Sequence, residues 1–343
     1  SRNGRTLSAL QKHHFPLVVL VFHVIFVVLF ALFASYDPSA MPGGLDHQLP
    51  LASKYSMFQD THAMIFLGFP FLMTFMKRYG VSAVSDNLLL ACFSIEWGML
   101  LRGFLSDQFA EHGTFNIGID ETDSTDFAAA VVLISMGAML GKLSPVQYLI
   151  MALIETPVAL AVEHQLVHRL HVNNVGRSMF VHVFGAYFGL ACSRSFARKE
   201  REHARRDHEG NSDKFAMIGA IFLWVFWPSF NAAAAVTADE ALQHGVTEKN
   251  PTFSGKKARI QTCFFCFFQK RFNMVHVANS TLAGGVAICT TANVILVGGL
   301  GCGLGCWSHL RARISVLDAI PLSPPLHPRH VWSAQSSRHA RSD

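Results

Sequence analysis

"SMFVHVFGAYFGL" (178–190) decides the class of this protein, because it sets a histidine inside a run that otherwise matches the interior of a membrane. Phe180, Phe184, Tyr187 and Phe188 stand close to His182 in sequence. The rest of the chain has the same character. Its 343 residues are 51% hydrophobic and only 15% charged, with 29 phenylalanines, which is too apolar for a typical soluble protein of that size. Charged residues fall in short blocks between apolar runs near 15–34, 61–76, 83–105, 126–141, 145–165, 178–193 and 215–236. Several of these approach the roughly 20 residues that a helix needs to cross a bilayer. The pattern predicts an all-α polytopic membrane protein seated in a lipid bilayer.

Charge placement orients the spans. With a cytoplasmic N-terminus (1–14, carrying Arg2, Arg5 and Lys12), the loops after the second, fourth and sixth spans are also cytoplasmic. They hold Lys77 and Arg78, then Lys142, then "RSFARKEREHARR" at 194–206. The loop after the third span holds Asp107, Glu111, Asp120, Glu121 and Asp123 and faces outward. This agrees with the rule that basic loops stay inside. The net charge of +5 is accounted for by those loops and calls for no nucleic acid. The first apolar run is too long for a signal h-region of about 7–15 residues.

The alternation breaks after 236. A seventh span delivers residue 237 outside, yet 249–271 is basic again (Lys249, Lys256, Lys257, Arg259, Lys270, Arg271). One crossing is therefore expected to be missing within 237–272. An eighth span at about 274–301 follows, with small residues suited to close helix packing. From 302 to 343 the chain is polar and rich in Arg, Pro, His and Ser, and reads as disordered or frameshifted.

An ionisable side chain within a span is expensive and normally faces the bundle interior, which makes His182 a functional candidate. A neutral imidazole can donate or accept a hydrogen bond without adding a charge. The alternative is a core histidine bonded to a neighbouring helix. Glu96 and Glu155, also within spans, read as helix-pairing or protonated carboxyls rather than catalysts. Glu163, His164, His168 and His171 have helical spacing compatible with a metal, but they sit where the fifth span exits, and a solvated cap is the preferred reading. Cys263 and Cys266 form a lone CxxC among phenylalanines, and the seven cysteines show no pairing pattern. The glycines at 299–305 follow no strand. No nucleophile–base pair has supporting context, so the reading is of a non-enzyme without metal or other cofactor. The span count before the break would also admit a seven-helix receptor.

Five longer blocks carry a more specific signal: "YSMFQDTHAMIFLGFPFLMTFMKRYG" (55–80), "MGAMLGKLSPVQYLIM" (136–151), "GRSMFVHVFGAYFGL" (176–190), "FAMIGAIFLWVFWPSFNAA" (215–233) and "MVHVANSTLAGGVA" (274–287). In this order they resemble the Rh glycoprotein branch of the ammonium transporter family, over about 15–236 and again from about 273. The resemblance implies a helical bundle of about a dozen helices, of which this chain carries about eight within 15–301. It also implies a homotrimer with one narrow hydrophobic pore per subunit, passing ammonia and, in some members, carbon dioxide. A plasma-membrane location goes with it. By the same resemblance His182 falls on the first of two pore histidines, and Phe127 and Phe230 match the phenylalanines that gate the outer vestibule. Ordinary packing is the alternative for both rings. An aromatic face can favour a nearby cation. Ammonium is costly to strip of water, whereas neutral ammonia tolerates an apolar path with a few polar handles.

Three positions depart from the family pattern. Asn174 stands where the family has an acidic vestibule residue, Arg177 replaces a small residue beside it, and Glu96 stands where a glutamine is expected. The second pore histidine is absent from the chain as it stands. Reading permissible codons of "VWSAQSSRHARSD" (331–343) one base later yields Cys-Gly-Val-His-Asn-Leu-His-Gly-Met-Pro-Gly-Val, which is similar to the family's second-histidine motif. "WSHLRAR" (307–313) permits Gly-Leu-Ile-Ser-Val-Leu-Gly in the same frame. A frameshift near 298–307 accounts for the polar tail. Two functions follow as expectations: an ammonia channel whose intact product holds both histidines, or a non-conducting structural protein or truncated product on the same scaffold.

Overall fold

The first apolar run folds as α1 (Arg2–Phe33), and from His14 onward it lies on the outside of the bundle. Leu17, Leu20, Val21, Val24 and Val28 are all exposed, which water would penalise and acyl chains would not. This computed structural model describes residues 2–37, 48–75, 80–172, 174, 176–196, 210–233, 278, 282–283 and 285–286. All of them belong to one unit, Ser1–Ile295. The expected gap at 237–272, the Cys263/Cys266 pair, the tail 302–343 and most of the eighth span lie outside the described residues. Of that span, 278, 282–283 and 285–286 are helical.

Aromatic packing joins α1 to α4 (Gly80–Phe104). Phe26 stacks on Trp97 at 5.8 Å, and Phe93 meets Phe22 edge-on at 5.3 Å. Near the far end of both helices Phe33 contacts Phe104 at 5.5 Å. There β1 (Ala34–Tyr36) pairs in parallel with β2 (Phe115–Ile117), Ala34 opposite Phe115. The short α5 (Asp107–His112) leads into β2, with Ser106 accepting from the Phe109 N–H at its start.

Local chemistry sets the next elements. The second expected span is one irregular helical column: α2 (Gln48–Ala63), a π-helical turn (Met64–Gly68), α3 (Phe69–Leu72) and a 3₁₀ turn (Met73–Phe75). In the π register Ile65 O would pair with the N–H of residue 70, but Pro70 has none. Asn87 Nδ2 donates to Ile65 O instead, at 3.2 Å. The helix α7 (Pro145–His164) begins with a capping box, Ser144 with Gln147, and Pro145 in the first turn. Its internal Pro157 leaves Leu153 O without a helical partner. Trp97 Nε1 donates to that carbonyl at 3.2 Å and ties α4 to α7.

At the centre runs α6 (Ile119–Met139), buried on nearly every side from Thr125 to Met136, as expected of a helix surrounded by others. The sixth expected span, which follows α7, opens as a π-helix (Ser178–Val183) and continues as α8 (Phe184–Ser195). Gly185 and Gly189, spaced as GxxxG, press α8 against the α6 backbone. A Cβ on Gly185 would lie 2.9 Å from Val131 O, and one on Gly189 would lie 2.8 Å from Ser135 Cα. The last full helix, α9 (Gly210–Ala233), crosses the second column just as closely, with Gly219 against the Leu72 amide. At the basic end of the bundle Lys142 Nζ donates to Ser193 O at 2.9 Å, a cation on the last carbonyls of α8.

The order of helices follows the seven spans expected before residue 236, and the molecule is an incomplete helical membrane bundle. Among the described residues, four helices are long and apolar enough to cross a membrane: His14–Phe33, Ser82–Phe104, Pro145–Val167 and Asp213–Ala233. The other three are interrupted by the π and 3₁₀ turns, carry Asp120, Glu121, Asp123 and Asp126 at one end, or are split by the π-helix before Phe184.

Candidate functional site

Three helices bring one file of side chains together. From α6, Phe127 meets Phe230 of α9 with ring centroids 4.5 Å apart and planes tilted by 59°. Both rings are buried. One turn earlier on α9, Trp227 lies 5.6 Å from Phe230. His182, at the end of the π-helix, stacks on Trp227 at 5.4 Å and 20° and approaches Phe230 at 5.9 Å. The imidazole is 7% exposed, and its Nε2 has no hydrogen-bond partner among the described residues. Trp227 Nε1 is in the same condition. The indole leans on Gly285, where a Cβ would stand 2.5 Å from Nε1. Ser178 Oγ donates to Val286 O at 2.8 Å, so the segment around 285–286 closes one side of the file.

Charged groups gather beyond Phe127. The Arg177 guanidinium lies 4.0 Å from the Phe127 centroid and 6.0 Å from that of Phe180. Its Nη1 donates to Glu163 Oε1 at 3.2 Å, and Arg102 Nη2 donates to Glu163 Oε2 at 2.5 Å. Glu163 thus serves two guanidiniums. At the exit of α7, His164 and His171 are exposed, as a solvated cap requires, while Glu163 is part-buried where Arg102 and Arg177 converge on it. Asn174 is buried beside this cluster and its carbonyl accepts from the Arg177 N–H at 3.1 Å.

Polar groups of α2 meet the same end of α6 and α9. His62 Nδ1 lies 3.2 and 3.1 Å from the two oxygens of Asp126, the residue before Phe127. Ser229 Oγ donates to Asp60 Oδ2 at 2.6 Å, next to Phe230. These polar contacts fix the rotation of α6 and α9 and hence the two rings. Deeper in the bundle, Ser135 Oγ joins Glu155 to the Gly185 carbonyl, and Glu96 on α4 lies 3.9 Å from His23 of α1. Glu155 therefore pairs helices, as expected.

The arrangement can do little covalent chemistry. It presents the Arg177 guanidinium over the Phe127 ring, a tight aromatic step, and a buried imidazole whose Nε2 has no partner among the described residues.

Residues 21–308 match the model of the Ammonium Transporter Family. The chain belongs to this family, in its Rh branch. It is 41% identical over 299 residues to the bovine (Bos taurus) ammonium transporter Rh type A, covering 83% of this chain and 68% of that protein. It is 40% identical over 329 residues to the ammonium transporter Rh type B-B of Xenopus laevis, covering 91% of this chain and 69% of the relative. Among solved structures, the Rh50 protein of Nitrosomonas europaea superposes with a TM-score of 0.66 at 28% identity, over 76% of this chain and 69% of the other. The Rh-type chain thus spans about two thirds of the length of these relatives, as its incomplete bundle requires. The match excludes the seven-helix receptor.

Of the residues singled out in sequence, His182, Phe127 and Phe230 form one contact group, and Asn174 joins it through Arg177. Trp227 and His62 were missed. Trp227 stands three residues before Phe230 on the same helix, so its shared face was readable. His62 is an ionisable residue within an expected span and met the criterion that picked out His182.

Proposed function

We propose that this Rh-type chain conducts ammonia across the membrane, the ammonium ion leaving its proton at the mouth and neutral ammonia passing His182. The observation that carries this reading is the buried His182 ring under the Phe127–Phe230 pair, with Nε2 unpartnered among the described residues. Stripping water from ammonium costs far more than desolvating ammonia, so an apolar file with one imidazole favours the neutral species and rejects potassium. Phe127 and Phe230 gate the vestibule, and Asn174 supplies a polar but uncharged group there. The working assembly is a homotrimer in the plasma membrane with a cytoplasmic N-terminus, and carbon dioxide is a second gas the same path would pass.

Reconstituting the full chain in proteoliposomes and following the ammonia-driven pH change by stopped flow tests this. Replacing His182 by Ala should abolish the protein-dependent rate, and an unchanged rate sinks the pore role. A second reading, a non-conducting scaffold, is favoured by one specific observation: Arg177 lies over Phe127, where a cation would enter. Absence of flux in the unmutated chain selects that reading.

A further inference from the structure

Arg177 adopts a conformation that disfavours it. Its φ of 57° is in the left-handed region, where an L side chain crowds its own backbone. Strain of this kind in a non-glycine residue persists only where surrounding contacts hold it. Here those contacts are the Phe127 face at 4.0 Å, the Phe180 ring at 6.0 Å and the Glu163 carboxylate at 3.2 Å. The side chain is only 13% exposed. Glu163 is shared with Arg102, so the carboxylate does not cancel both guanidiniums. Asp123 is the other charge that acts on Arg177. Phe127 also meets Phe230 at 4.5 Å, and both rings are buried.

We propose that Arg177 is a resident cation: its guanidinium holds the aromatic site over Phe127 that a small monovalent ammonium-type cation would otherwise take. The aromatic step at Phe127, inside the mouth where ammonium leaves its proton, accordingly admits small neutral amines and refuses their protonated forms. The proposal rests on the ammonia-conduction reading for its meaning, but not for its test. A ring face attracts any nearby cation, and a tethered guanidinium has an effective concentration that millimolar solute does not match. Arg177 is thus a specificity-determining residue rather than a structural cap. Its lost packing alone would not create a cation site on Phe127.

The test is equilibrium binding of methylammonium chloride to the purified full chain in detergent, by isothermal titration at constant ionic strength. Removal of the guanidinium in Arg177→Gly, which also suits the left-handed backbone, should tighten methylammonium binding by at least about tenfold. Arg177→Lys should behave like the unmutated chain, because it keeps a tethered cation. Adding Phe127→Leu to Arg177→Gly should erase the gain. Equal affinity in the unmutated chain and Arg177→Gly overturns the proposal, as does tight binding by Arg177→Lys. Should Arg177→Gly fail to give a monodisperse protein, the pair Arg177→Gln with Glu163→Gln removes the cation and its counter-charge together and is read in the same way. A chain that passes no ammonia but shows these binding differences refutes conduction and leaves the assignment of Arg177 standing.

Discussion

The indole N–H of Trp97 donates to the Leu153 carbonyl at 3.2 Å, the one carbonyl that Pro157 deprives of its helical partner. In a bilayer such a group has no water to turn to. Trp97→Phe keeps the stacking on Phe26 but loses the donor, and should lower stability by about 1 kcal/mol. In a Pro157→Ala background residue 157 again offers an N–H to Leu153, so the same substitution should cost noticeably less. Thermal unfolding midpoints of the four proteins in detergent measure this coupling. Additive effects would show that the indole bond does not compensate for the proline.

Glu155, Ser135 and Gly185 form a chain across three helices. A hydroxyl has one proton, so Ser135 can donate to the Gly185 carbonyl and also satisfy Glu155 only if the carboxyl brings a proton of its own. Glu155→Gln preserves a donor of nearly the same shape and should fold normally, within about 0.5 kcal/mol. Glu155→Leu leaves the serine with a poorer set of partners and should cost about 1–2 kcal/mol. Comparable loss in both variants would mean that an ionised carboxylate is what the site needs.

Much of this was legible in the sequence, for reasons that particular elements make plain. The apolar run at 145–165 begins where α7 begins, and the charge blocks at 77–78 and 142 fall between observed helices. The π-helical stretches left no trace in the pattern, because they are buried on several sides and lack a clean amphipathic period. His182 was found by the cost of burying an ionisable ring. The contact between Arg177 and Phe127 was not, since it joins positions 50 apart and depends on a left-handed residue. The two arginine partners of Glu163 were hidden for the same reason, since one comes from α4 and the other from the loop before the π-helix, whereas the exposed His164 and His171 fit the expected cap.

Gly219 should tolerate no side chain at all. A Cβ there would stand 2.2 Å from the Leu72 amide nitrogen and 2.7 Å from Gly68 O, and backbone cannot swing aside as a rotamer can. Gly219→Ala should destabilise the bundle by about 2–3 kcal/mol and appear as loss of the monodisperse peak in size-exclusion chromatography. Ile218→Ala, one residue away on the exposed face, is the matched control and should elute normally. An unperturbed Gly219→Ala would mean that α9 does not cross the second column this closely.

His182 Nε2 is buried with no partner among the described residues, a condition that costs about 1–3 kcal/mol when nothing fills it. The codons of 331–343 permit, one base later, a His-containing segment ending in His-Gly-Met-Pro-Gly-Val, and the charge alternation separately lacks a crossing within 237–272. Sequencing the transcript across the codons for 231–343 should therefore return the shifted frame and an added apolar segment before 273. Expression of that form should give ammonia flux that depends on His182. A transcript that encodes "VWSAQSSRHARSD" unchanged removes the second histidine from consideration. The non-conducting reading then gains, because the path would hold only one of the two pore histidines that the resemblance implies.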